Sequence, residues 1–172
     1  MVWRRACVLV FVLLLAMSRA AAAQTACADA IPPNIDTGVL TPAVTALLRA
    51  SPTFRAQCER IAGAIWVRVT LAVTTGIGSG RARTTMFRFS AGALKAEVVL
   101  HFGEDYRELL AHEFEHILEQ LDGVDLRSEA QHGRAWLLDD GAFETRRAFA
   151  AGRQARRECE MLHADAPVHH TR

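Results

Sequence analysis

Residues 105–121 read Asp-Tyr-Arg-Glu-Leu-Leu-Ala-His-Glu-Phe-Glu-His-Ile-Leu-Glu-Gln-Leu, and their spacing governs the reading of the whole chain. Leu110, Phe114, Ile117, Leu118 and Leu121 recur at helical intervals and form one apolar stripe. Gly123 follows as a helix terminator. His112 and His116 fall opposite the stripe, one turn apart, with Glu113 at their flank. The pattern predicts a helix that sets its apolar side into a core and turns both imidazoles toward a cleft. Glu108, Glu115 and Glu119 share that polar side, so a solvated face is the competing reading.

The pentad His112-Glu113-Phe114-Glu115-His116 has the form H-E-x-x-H. Two imidazoles at this spacing can hold one Zn²⁺ ion, and a carboxylate next to the first His can reach a water at that ion. Glu113 is then the general base of a hydrolase. A catalytic zinc takes a third protein ligand and keeps an open position. Glu144 is the leading candidate, expected near the start of a long helix over residues 139–162 that packs beside the first. Asp122, six residues after His116, and His132 are the alternatives. Glu119, one turn beyond His116, is a candidate to orient an imidazole from behind. Tyr106, His132 and His163 carry groups suited to stabilising an oxyanion.

Away from this helix the pattern changes. Thr41-Pro42 and Ser51-Pro52 each read as a helix start, giving two short helices to about residues 50 and 62. Residues 65–74, 84–90 and 94–102 are rich in β-branched and aromatic side chains and read as strands. Short connections between them suggest an antiparallel meander. Gly76, Gly78 and Gly80 lack a following Lys-Ser/Thr, so they read as a hairpin tip rather than a phosphate loop.

The first 23 residues read as a signal peptide: Arg4 and Arg5, an apolar run, then Ala21-Ala22-Ala23 before Gln24. The apolar run is short for a membrane span, so the mature chain is expected to be exported, periplasmic or extracellular, with no stable membrane span. It divides into an irregular lead-in (24–40), one catalytic domain (41–163) and a disordered tail (164–172). Loss of Arg4, Arg5 and Arg19 would leave a slight acidic excess, which gives no electrostatic case for nucleic acid. An oxidising compartment permits one disulfide, for which Cys27 and Cys58 are the favoured pair over Cys159.

The run of strands, the H-E-x-x-H helix and a Glu on a following helix together resemble the zincin metallopeptidases, in a small gluzincin-like form. The resemblance spans residues 65–150, and its specific content is His112, Glu113, His116 and Glu144. It implies an α+β fold, a peptide or protein substrate, and a last strand that borders the cleft and binds an extended peptide by strand addition. Many gluzincins carry an acidic residue four positions after the third ligand. Here that position is Ala148, and Asp140, four positions before, is the candidate for the role. Two other functions remain compatible: a secreted zincin-like protein without turnover, and an amidase of the cell envelope.

Overall fold

The computed structural model describes residues 30–76, 80–139 and 141–164. Residues 1–23, expected to be a signal peptide, Cys27, Asp140 and the tail beyond Ala164 lie outside them.

Both proline-marked segments form helices; Ser51 is an N-cap as the sequence predicts, whereas Thr41 is the first helical residue of its helix and Leu40 stands at the cap position. Helix α1 covers Thr41–Ala50 and α2 covers Pro52–Gly63. Ser51 caps α2 by accepting the Phe54 N–H at 3.0 Å, and Pro52 supplies a preset φ where no N–H is needed. Glu158 strengthens this junction from far along the chain. It accepts the Ser51 and Thr53 hydroxyls at 2.5 and 2.8 Å and the Thr53 N–H at 3.1 Å.

These helices form the crossover between two parallel strands, β1 (Ile35–Asp36) and β2 (Val67–Thr74). Parallel neighbours need such a crossover because the chain must return to the same end of the sheet. Strands β3 (Ala82–Arg88) and β4 (Leu94–His101) complete a mixed sheet in the order β1-β2-β4-β3. The expected meander is therefore corrected. Strand β2 pairs in parallel with β4, and β3 pairs antiparallel with β4 at the far edge.

Side-chain chemistry accounts for the order. Strand β2 buries Val67, Val69 and Leu71, and β4 buries Leu94, Ala96, Val98 and Leu100. These are the more apolar strands and they occupy the centre. Strand β3 carries Arg83, Thr84, Thr85 and Arg88, polar residues suited to an edge whose backbone is half unpaired. The turn back into β4 closes through Gly92 at φ +83° with its N–H on the Phe89 carbonyl.

The H-E-x-x-H segment is helix α3, Tyr106–Leu121, capped by Asp105, which accepts the Arg107 N–H. Leu110, Phe114, Ile117 and Leu118 sit in the core with the inner faces of β2 and β4. The opposite side is not an open polar face. Every residue from Leu109 to Glu119 is buried, because α5 (Arg146–Ala164) lies along α3. Gly152 permits the close approach: a Cβ there would stand 2.8 Å from the Glu108 carbonyl oxygen and 3.2 Å from His112 Cβ.

Between α3 and α5 the chain forms a short helix α4 (Leu126–Gln131) and a hairpin of β5 (Ala135–Leu137) and β6 (Phe143–Thr145). The long helix therefore starts later than expected, and Glu144 sits on a strand. Gly141, at φ +82°, turns the hairpin with its N–H on the Leu138 carbonyl. Thr145 then caps α5 by accepting the Ala148 N–H at 2.9 Å.

Candidate metal centre

Helix α3 presents His112 and His116 on the side that faces the β5–β6 hairpin and α5. Their exposures are 7% and 8%. Strand β6 brings Glu144 to the same point. Glu144 Oε2 lies 3.0 Å from His112 Nε2 and 3.7 Å from His116 Nε2. One ligand atom from each of the three residues falls within 4.8 Å of the other two. The carboxylate thus comes from a hairpin rather than from the neighbouring helix.

The arrangement of donors fits a small cation. Four tetrahedral ligands at zinc bond lengths stand about 3.3 Å apart, and the two N···O separations bracket that spacing. Glu144 Oε2 is buried, and neither ring N–H is aligned on it as a hydrogen bond. A buried carboxylate oxygen close to two imidazole nitrogens, without a directed donor, suits a metal better than a hydrogen-bonded contact.

The imidazoles are also oriented from behind. His116 Nδ1 donates to Glu119 Oε2 at 2.9 Å, and the Thr145 hydroxyl donates to Glu119 Oε1 at 2.6 Å. With its proton on Nδ1, a neutral His116 turns the Nε2 lone pair toward His112 and Glu144. The ring of Phe149 meets the His112 ring edge-on at 4.8 Å. Without a metal the cluster behaves as an ion pair. Burial alone would lower the His116 pKa, but Glu119, Glu144 and Glu113 outweigh it and hold it at about 10. Burial alone would raise Glu144, but the two imidazoles outweigh it and hold it at about 2.

Glu113 is buried beside this group. Loss of hydration pushes its pKa up, against the opposing pull of His112 and a hydrogen bond from Thr84. That hydroxyl, on the edge strand β3, donates to Glu113 Oε2 at 2.7 Å. A cavity of about 560 Å³ opens in front of the cluster, walled by Arg81 and the β3 residues Ala82 to Thr84, by His112, Glu113 and His116, and by Leu138, Phe143 and Glu144 of the hairpin and its turn. The strand at the cleft is therefore β3, not the last strand β4, which is covered on both edges.

Several candidates fall elsewhere. Asp122, at the C-terminal end of α3, pairs with Arg60 and Arg147. Burial tends to raise its pKa, and these guanidinium groups lower it overall. His132 is exposed and donates from Nδ1 to the Ser128 carbonyl at 2.7 Å. Neither His132 nor Tyr106 lines the cleft. Cys58 holds its thiol in the core, where burial drives its pKa to about 12. Its expected partner Cys27 lies outside the described residues.

Three contributors were not picked out from the sequence: Thr84, Thr145 and Phe149. Thr145 had a readable signal, a Thr three residues before the first buried position of α5. The other two depend on how distant segments meet. No helix among the described residues is long and apolar enough to cross a membrane.

No family model, curated protein or solved structure matches this chain. The likeness to the zincins is carried by His112, Glu113, His116 and Glu144 alone.

Proposed function

We propose that the protein is a zinc-dependent metallopeptidase, with His112, His116 and Glu144 as the metal ligands. The carrying observation is the convergence of their three ligand atoms at the wall of a cavity that Glu113 also lines. When bound, zinc supplies a Lewis acid that activates a water and polarises a carbonyl.

The chain's own groups do the rest. Glu113 takes the proton of the attacking water and returns it to the departing amine. Burial favours this role, because a carboxylate raised toward neutrality holds a proton more readily between the two transfers. Thr84 fixes one oxygen of Glu113 and leaves the other to work. Glu119 and Thr145 hold the His116 tautomer. Among the described residues strand β3 pairs only with β4, so its outer backbone edge can take an extended peptide as an added strand.

The test is metal analysis of the exported protein together with peptide hydrolysis, repeated with Glu113→Gln. The variant should keep its zinc and lose activity by roughly a hundred- to ten-thousand-fold. Zinc retained with no hydrolysis by either protein would favour a binding role without turnover. Full activity in the variant would refute the mechanism.

A further inference from the structure

A second concavity, of about 510 Å³, lies on the other side of Phe149 and is walled by Trp136, Arg146, Phe149 and Arg153. Phe149 belongs to both cavities. Its ring meets His112 edge-on, and its face stacks on Trp136 at 5.5 Å with the planes 12° apart. Trp136 is the cross-strand partner of Glu144. The second concavity thus begins one ring away from the metal ligands.

Its charge is the informative part. Arg146, Phe149 and Arg153 recur at i, i+3 and i+7 along α5, which places them on one helix face. Neighbouring Arg134, Arg147 and Arg156 each pair with a carboxylate. Arg146 and Arg153 have no ion-pair partner among the described residues. Trp136, 40% exposed, lies open between them. The wall therefore offers two uncompensated guanidinium groups beside an apolar floor.

We infer that this concavity is a substrate subsite for a carboxylate, supplied by an acidic side chain or by the C-terminus of a bound peptide. The inference rests on the peptidase reading of the adjacent site. A guanidinium binds a carboxylate through two parallel N–H···O bonds. The methylene stem of an Asp or Glu rests on the rings while its head group reaches the arginines. The path from His112 across Phe149 to Trp136 takes ring-to-ring steps of 4.8 and 5.5 Å, a span that an extended chain covers in about three residues. The selected acidic group accordingly lies a few residues from the scissile bond.

The experiment uses fluorescence-quenched peptides in which one Glu, Gln or Lys is moved through every position, each with a free and an amidated C-terminus. Two measurements are made: hydrolysis by the zinc-loaded protein, and binding by anisotropy to its Glu113→Gln form. Glu peptides should be preferred over Gln peptides roughly three- to tenfold at one position, as expected for exposed ion pairs. The ratio should fall to about one in the Arg146→Ala/Arg153→Ala double variant and turn toward Lys peptides in Arg153→Glu. A preference for free over amidated peptides that does not depend on Glu assigns the subsite to a C-terminal carboxylate, and a Glu preference that persists on amidation assigns it to a side chain. Cleavage with neither a Glu nor a free-C-terminus preference, or a preference unchanged in the double variant, overturns the subsite and leaves the peptidase reading standing. Arginine-dependent binding of Glu peptides without cleavage by the wild-type protein does the reverse. Neither cleavage nor preference overturns both.

Discussion

Replacing Gly152 with Ala should destabilise the protein, although Ala is the better helix former. The residue lies inside α5, where exchanging Gly for Ala gains about 1 kcal/mol of helix propensity. Packing opposes the gain. The new methyl would stand 2.8 Å from the Glu108 carbonyl oxygen, 3.2 Å from His112 Cβ and 3.3 Å from Glu108 Cγ. The carbonyl belongs to the backbone of α3 and cannot rotate away, so the two helices must part by about 0.5 Å to restore ordinary contact. Overpacking of this kind costs about 1–3 kcal/mol. The net effect is a loss of about 1 kcal/mol, a drop of a few degrees in Tm. The displaced segment carries Phe149, which meets His112, and begins at Thr145, which bonds Glu119. Zinc affinity should therefore fall about tenfold, in the range seen when groups behind metal ligands are disturbed. Chemical denaturation gives the first quantity and competition with a chelator the second. If Gly152→Ala raises stability by the full propensity gain and leaves zinc affinity unchanged, the close crossing of α3 and α5 is refuted.

Three further outcomes are expected. Glu119→Gln should weaken zinc binding about 10–100-fold by releasing the His116 ring, measured by chelator competition, with Thr145→Val giving a smaller loss. Zinc binding to the metal-free protein should release protons at neutral pH, because His116 holds its proton up to about pH 10 and a ligand must give it up; calorimetry in buffers of different ionisation enthalpy reads the number, and zero release would contradict the ion pair. Glu158→Ala should cost about 1–3 kcal/mol by leaving Ser51 and Thr53 without their acceptor. Hydrogen bonds to those groups outweigh burial and lower the Glu158 pKa, so in the wild type this contribution is full above the ordinary carboxylate range and fades as pH falls through the lowered value. A variant as stable as the wild type at pH 7 would remove Glu158 as a cap.

The sequence reveals most where interactions are local. Ser51-Pro52 caps α2 through a bond three residues away, and the stripe of α3 is a matter of helical period. Both were readable directly. The strand order was not, because it depends on which strand most needs covering on two edges. Alternation alone marks Val67–Thr74, Ala82–Arg88 and Leu94–His101 as strands without saying that the polar one goes outside. Glu144 was identifiable as a ligand candidate but not as a strand residue. A three-residue strand is too short to show a period, and the Gly141 turn precedes it directly. The burial of the polar side of α3 was hidden for a similar reason, since it depends on Gly152 thirty-six residues beyond His116.

That burial ties stability to the metal site. Helix α3 places Glu113, Glu115, Glu119, His112 and His116 in the interior. Glu115 is compensated locally, by Arg147 at 2.5 Å and by Gln57 at 2.6 Å. Glu119 is compensated by His116 and Thr145. The remaining carboxylates, Glu113 and Glu144, depend on the two imidazoles, and each burdens the other's ionisation. In the metal-free chain the His116–Glu144 pair gives stability with two limits. The raised His116 pKa makes its contribution full below the ordinary imidazole value and lost as pH climbs through about 10. The lowered Glu144 pKa makes its contribution full above the ordinary carboxylate value and lost as pH falls through about 2. A dication carries more charge than the proton it displaces, so it would compensate Glu144 while leaving Glu113 ionised and available as a base. Zinc should therefore raise Tm most on the alkaline side, where the His116 proton is already being lost and metal binding no longer has to expel it. A zinc-induced shift in Tm that shrinks from pH 6 to pH 9 in a non-chelating buffer would contradict this coupling.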